Sequence, residues 1–136
     1  MKKGCLLLLL LLFAWAGFSQ EAGTFVPFVS KLKARADESK ILITWRNPKD
    51  LQGTILVYLH STEIDQDNLK RAVRLAGLAR DRESYEDSPP DERPYYYAVL
   101  IEDSAGTIQK MFIPFRNKTS QGVHSSAPPP VESDAA

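Results

Sequence analysis

A two-residue alternation of apolar and polar side chains recurs through the middle of this 136-residue chain and leaves few architectures open. In KILITWRNP (residues 40–48), Ile41, Ile43 and Trp45 fall on one face, with Lys40, Thr44 and Arg46 on the other. Successive side chains of a strand point to opposite faces, and β-branched and aromatic residues suit a half-buried pleated surface, so this stretch is a strand. Asn47-Pro48 ends it, because proline has no N–H for the ladder and restricts the residue before it. GTILVYLHS (53–61) places Ile55, Val57 and Leu59 on one side, and PYYYAVLIED (94–103) puts Tyr95, Tyr97, Val99 and Ile101 in one register. Asp103-Ser104-Ala105-Gly106 is a turn, after which TIQKMFIPFR (107–116) is expected to return as the last strand, with Pro114 confining it to an edge.

The segment DQDNLKRAVRLAGLARDRE (65–83) carries two periods. Leu69, Ala72, Val73 and Ala76 have helical spacing, and Asp65 or Asp67 is available as a cap. Gly77 weakens a long helix, and VRLAGLA reads equally well as a strand. The expectation is a short helical turn near residues 67–71, followed by a strand. Several short strands between turn signals predict an all-β antiparallel sandwich.

The first residues, MKKGCLLLLLLLFAWAGFSQ, have a basic start, a short apolar middle and a small-residue exit. That layout predicts a secretory signal peptide over residues 1–19, with cleavage after Ala16 or, the favoured point, after Ser19. Its apolar run is about half of the roughly 20 residues that a spanning helix needs. Membrane contact is expected only through this leader if it stays uncleaved. Cys5 precedes the apolar run, so it leaves with the leader and the mature chain keeps no cysteine for a disulfide, a nucleophile or a metal site. The export route implied is to the periplasm or the outside of the cell.

Losing Lys2 and Lys3 turns 17 basic against 17 acidic residues into 15 against 17. A near-neutral chain lacks the overall basic balance of a nucleic-acid binder, and no nucleic-acid partner is expected. From residue 119 onward the chain is rich in Ser, Pro and Ala without apolar periodicity, which predicts a disordered tail over 119–136. The folded unit is then a single domain over residues 23–118.

The order ILITWRNP, ILVYLHS, NLKRAVRLAGL, SYEDSPPDERPYYYAVLIEDSAG and a last strand resembles a fibronectin type III domain, an immunoglobulin-like β-sandwich, over residues 29–116. It is most similar to bacterial versions with a tyrosine-plus-aspartate step before a tyrosine-rich strand. The resemblance implies that Trp45 is the core tryptophan of the second strand. It also implies that Tyr95 is the tyrosine near the start of the sixth strand whose hydroxyl reaches back to the preceding corner. The helix-like stretch between the third and sixth strands departs from the animal modules. No Arg-Gly-Asp triplet occurs, so integrin binding by that route is not implied.

The chemistry available is sparse. His60 and His124 are the only histidines; His124 lies in the tail, and His60 at a strand end reads as a polar surface residue. There is no glycine-rich phosphate loop, HExxH pair or Gly-x-Ser-x-Gly elbow. The clusters Glu63/Asp65/Asp67, Glu83/Glu86/Asp87 and Asp91/Glu92 offer oxygen ligands but lack EF-hand spacing. No metal, cofactor or catalytic set is expected, and a small metal- or acid-dependent hydrolase ranks last.

Alternation also assigns an outward set. If Trp45, Tyr95, Tyr97 and Val99 fill the core, with Met111, Ile113 and Phe115 inward on the last strand, then Leu56, Tyr58, Tyr96, Leu100, Ile108 and Phe112 share the opposite face. An exposed apolar face of that size marks contact with another molecule, with tyrosine enriched at such interfaces. The competing expectation is that TFVPFV (24–29) or the helix-like stretch folds over the same face. The functional reading is a non-enzymatic exported module that binds an unknown protein partner. The alternative is a carbohydrate-binding accessory domain in which Tyr58 and Tyr96 stack on sugar rings.

Overall fold

The computed structural model describes residues 28–126; the expected leader, residues 1–19, lies outside them. Six strands occur in order: β1 (Ser30–Asp37), β2 (Lys40–Arg46), β3 (Thr54–His60), β4 (Val73–Leu78), β5 (Ser84–Asp87) and β6 (Tyr96–Glu102). A 3₁₀ turn, Leu69–Arg71, precedes β4. The strands form two antiparallel sheets, ordered β1-β2-β5 and β4-β3-β6. This is an all-β sandwich.

The alternation of β2 dictates how the sheets face each other. Ile41, Ile43 and Trp45 are buried while Lys40 and Arg46 are exposed. They meet Leu32 of β1 and, from the other sheet, Ile55, Val57 and Leu59 of β3 and Tyr97, Val99 and Ile101 of β6. Burying such side chains contributes about 1.5–3 kcal/mol each before the entropy of ordering them. The end of β2 is tied down by Asn47. Its Oδ1 accepts from the Trp45 indole at 2.9 Å, and its Nδ2 donates to the carbonyls of Arg80 and Arg82 at 2.9 Å each. The strand that alternation places at residues 40–46 therefore stops where its own asparagine captures the loop leading into β5.

The 65–83 segment resolves as a short turn followed by a strand. Asn68 is buried and takes the place of missing backbone partners: its Oδ1 accepts from Asp65 N–H and its Nδ2 donates to the Glu63 carbonyl. After it the chain makes one 3₁₀ turn and enters β4, which pairs with β3 through a bulge between Val57 and Tyr58.

The end of the fold differs from expectation. Residues 107–116 form no regular strand. One bridge joins Ile108 to Glu102, and the chain then leaves the sheet and turns back. The partner of β6 is instead the stretch 117–123. Val99 N–H donates to the Asn117 carbonyl, Thr119 N–H to that of Tyr97, and Tyr95 and Val123 exchange both bonds, all at 2.8–2.9 Å. Two causes are visible. Pro114 cannot donate to a ladder, and Ile108 and Phe112 pack across the outer face of the sheet instead of extending along its edge. Asn117-Lys118-Thr119, unremarkable as a sequence, supplies the pairing. The packed chain thus continues past residue 118, and Ser126 N–H still donates to the Glu38 carbonyl at 2.8 Å.

Candidate interaction surface

The three consecutive tyrosines divide by face. Tyr97 is fully buried and its hydroxyl donates to Asp87 at 2.7 Å. Tyr95 is buried too, and its hydroxyl donates to Asp91 Oδ1 at 3.0 Å, four residues upstream. The reach back resembles the tyrosine corner of immunoglobulin-like domains, but here a carboxylate and not the main chain receives it. Asp91 also holds Arg93, through the Nη2 at 2.6 Å and the backbone N–H at 2.9 Å. The hydrogen bonds from the Arg93 side chain, then its N–H, pull the Asp91 carboxyl down to about 2. Burial, followed by the neighbouring Asp87 carboxylate, pushes the Tyr97 hydroxyl well above the ordinary tyrosine value. Trp45 and Val99 lie in the same core.

The outward set is where the structure corrects the sequence reading. Leu56, Tyr58 and Leu100 are only 2, 5 and 2% exposed. With Ile64, Leu69 and Ala98 they form a second apolar core on the outer side of the β4-β3-β6 sheet, and Tyr96, Ile108 and Phe112 pack half-buried against it. The helix-like stretch closes one side and the chain after β6 the other. Val29, the last residue of TFVPFV, goes to the main core instead, and residues 24–27 lie outside the described part. The cover is fastened by Lys118, whose ammonium donates to the Ile64 carbonyl at 3.2 Å and pairs with Glu63 at 3.1 Å. Tyr58 is further engaged by Arg74, whose Nη2 donates to its hydroxyl at 3.1 Å. The physical reason is area: a sheet that is apolar on both faces must bury both. The six residues do converge on one face, but the chain occupies that face itself.

Among the described residues, the large apolar side chains left in solvent lie elsewhere, at Val73, Met111 and Phe115. Phe115 is 71% exposed and sits at φ 64, in the left-handed region that a bulky residue rarely adopts. The turn that imposes this conformation is locked from beneath. Asn117 is buried, its Oδ1 accepting from Ile113 N–H at 2.7 Å and its Nδ2 donating to the Met111 carbonyl at 2.6 Å. Phe115 N–H donates to the Lys118 carbonyl at 3.0 Å, closing the turn. Alternation turns Met111 and Phe115 inward, and the structure corrects both: their exposure follows from a tight turn and not from a strand face.

The acidic clusters are each spoken for. Asp65 Oδ1 accepts from the N–H groups of Asp67 and Asn68, Glu86 pairs with Lys40 at 2.8 Å, and Asp87 holds Tyr97. Among the described residues, no group of three or more His, Cys, Asp or Glu side chains is placed to hold a metal ion. His60 Nδ1 accepts from Thr62 N–H at 3.0 Å and so shapes the turn after β3.

No protein family matches the sequence, and no curated protein is similar to it. The fold is similar to the fibronectin type III (fn3) domain of the human collagen alpha-1(XX) chain, with TM-score 0.53 and 12% identity over 81% of this chain and 93% of that one. It is also similar to part of the Clostridium perfringens spore cortex lytic enzyme SleM, with TM-score 0.52 and 18% identity over 77% of this chain and 31% of that one. Pectate lyase Pel3 from Pectobacterium carotovorum matches at TM-score 0.49 and 14% identity, over 75% of this chain and 27% of that one. The chain thus spans less than a third of either enzyme. At these identities the likeness is one of fold: the chain has a fibronectin type III-like sandwich.

Proposed function

We propose that this chain is a non-enzymatic, exported protein–protein interaction module, and that its contact is made by the turn carrying Met111 and Phe115. The observation that carries the reading is Phe115, a large apolar ring held in solvent by a strained turn whose base is locked by Asn117. A preorganised aromatic anchor loses little conformational freedom on binding, which is where such contacts gain affinity. Strain of this kind persists only where surrounding structure imposes it, and it concentrates at contact sites. The sugar-stacking alternative required Tyr58 and Tyr96 open side by side; Tyr58 is covered and Tyr96 packs half-buried against the second core, which disfavours it.

Photo-crosslinking tests the reading. A benzoylphenylalanine at position 115 is expected to trap a discrete protein species from the native envelope or culture fluid. The same probe at Lys49, exposed on another loop, is expected to trap none. Equal labelling from both positions, or none from 115, rejects the contact.

A further inference from the structure

The outer face of the β1-β2-β5 sheet has a composition that the near-zero net charge conceals. On β1, Leu32 is buried and Ala34 packs against the core, so Lys33 and Arg35 point outward. The ladder sets Lys33 opposite Thr44, Arg35 opposite Leu42 and Ser30 opposite Arg46. Between Ser30 and Lys33 the register shifts, and Lys31 stands there at φ 55. A bulge re-aims a side chain, and this one brings Lys31 beside Lys33, Thr44 and Arg46 around one shallow depression. Lys33, Arg35, Leu42 and Thr44 line the next. The carboxylates on this face are Asp37 and Glu86, and Glu86 is taken by Lys40 at 2.8 Å. Among the described residues, Lys31, Lys33, Arg35 and Arg46 have no carboxylate within salt-bridge distance.

We propose that this face docks an extended acidic segment of a protein partner. Charge complementarity sets the sign, and spacing favours a peptide. Lys33 and Arg35 are two residues apart on one strand, about 6.8 Å, which is also the same-face repeat of an extended peptide. Carboxylates on alternate residues of such a peptide would meet successive cations while the residues between them rest on Leu42 and Thr44. Stacking on a sugar ring or a base needs an open aromatic face, and Trp45, the aromatic lining these depressions, is only 4% exposed. The Phe115 turn borders Lys33 and Arg35 across a neighbouring depression, but the two proposals rest on different observations.

The test titrates the chain with a fluorescein-labelled peptide of alternating Glu and Val, its Gln-Val counterpart, and alginate as an acidic polysaccharide. The Glu-Val peptide is expected to bind at 50 mM salt and to weaken as salt rises, as contacts between exposed charges do; the Gln-Val peptide is expected not to bind. Lys33→Glu with Arg35→Glu should weaken binding roughly tenfold or more, while Lys49→Glu with Lys110→Glu should leave it unchanged. Lys33→Gln with Arg35→Gln, which leaves the strand's exposure pattern intact, should give an intermediate loss and shows that folding is not the cause. Phe115→Ser removes a ring and no charge, so the salt-dependent binding of the Glu-Val peptide should persist, while crosslinking from position 115 reads the other contact; the two proposals therefore fail independently. Binding of alginate in place of the peptide, equal losses from both charge-reversal pairs, or no peptide binding would each overturn it.

Discussion

The Tyr97 hydroxyl on β6 donates to the Asp87 carboxylate on β5 at 2.7 Å, a buried bond that joins the two sheets across the sandwich. Among the described residues it is the hydrogen bond that the Asp87 side chain makes. Removing the donor therefore leaves a buried carboxylate unpaired. Tyr97→Phe is expected to destabilise the fold by about 1–3 kcal/mol in urea unfolding at pH 7. The pH dependence has a definite sign. The Tyr97 hydroxyl is raised above the ordinary 10.0 in the folded chain, so its contribution is complete below about pH 10 and declines as the unfolded chain ionises above it. The variant should lose part of that alkaline decline.

Asp91 supplies the acid counterpart. Its carboxyl is held near 2 in the fold, against 3.8 ordinarily, chiefly by the Arg93 side chain. A depressed carboxyl contributes stability above the unfolded value and loses it as pH falls through the folded one, here between about pH 4 and pH 2. Carbon-13 NMR of the Asp91 carboxyl should show a midpoint near 2, moving up toward 3.8 in Arg93→Ala. A midpoint near 3.8 in the parent chain would mean that the Arg93 clasp does not form in solution.

The second core and the Phe115 turn give a contrast. Leu100→Ala, at a site 2% exposed, is expected to cost about 2–5 kcal/mol, as for other buried leucines. Phe115→Ser, at a side chain mostly in solvent, is expected to stay within about 0.5 kcal/mol. Thermal or denaturant unfolding of the two variants separates a face closed by its own chain from a side chain held outward. A small loss at Leu100 would return the outer sheet face to the list of open surfaces.

Much of the sandwich was legible, and the reason is physical. On β2, the polar partners of Ile41, Ile43 and Trp45 fixed which side faced the other sheet. On β3 and β6 there was a second message in the same letters. ILVYL and YYAVLI contain hardly a polar residue, which is the pattern of strands buried on both faces. Reading only one alternating set as core turned Leu56, Tyr58 and Leu100 into a surface. Phe115 and the basic face were out of reach for different reasons. The exposure of Phe115 depends on Asn117 closing a turn, and that of Lys31 on a bulge, and neither leaves a periodic trace. The partner of β6 was missed because Asn117 and Thr119 pair through backbone and hydroxyl, in a stretch with no apolar rhythm.

That last strand yields the most direct prediction, since its residues begin where the apolar pattern ends. A chain stopped after Lys118 loses Thr119 N–H to the Tyr97 carbonyl, Tyr97 N–H to the Thr119 hydroxyl, both bonds between Tyr95 and Val123, and Ser126 N–H to Glu38. It also uncovers the apolar edge that Val123 packs against. With net values of about 0.5–1.5 kcal/mol per hydrogen bond, the loss should reach several kcal/mol. The start of β6, around Tyr95–Tyr97, now an unpaired edge, should pair with other copies and aggregate. A chain stopped after Ser126 keeps all of these contacts and should unfold with the same midpoint as the full chain. Comparing the two by urea denaturation and light scattering decides the matter. If the shorter one were equally stable and monodisperse, residues 119–126 would be ornament to the sandwich and not its closing strand.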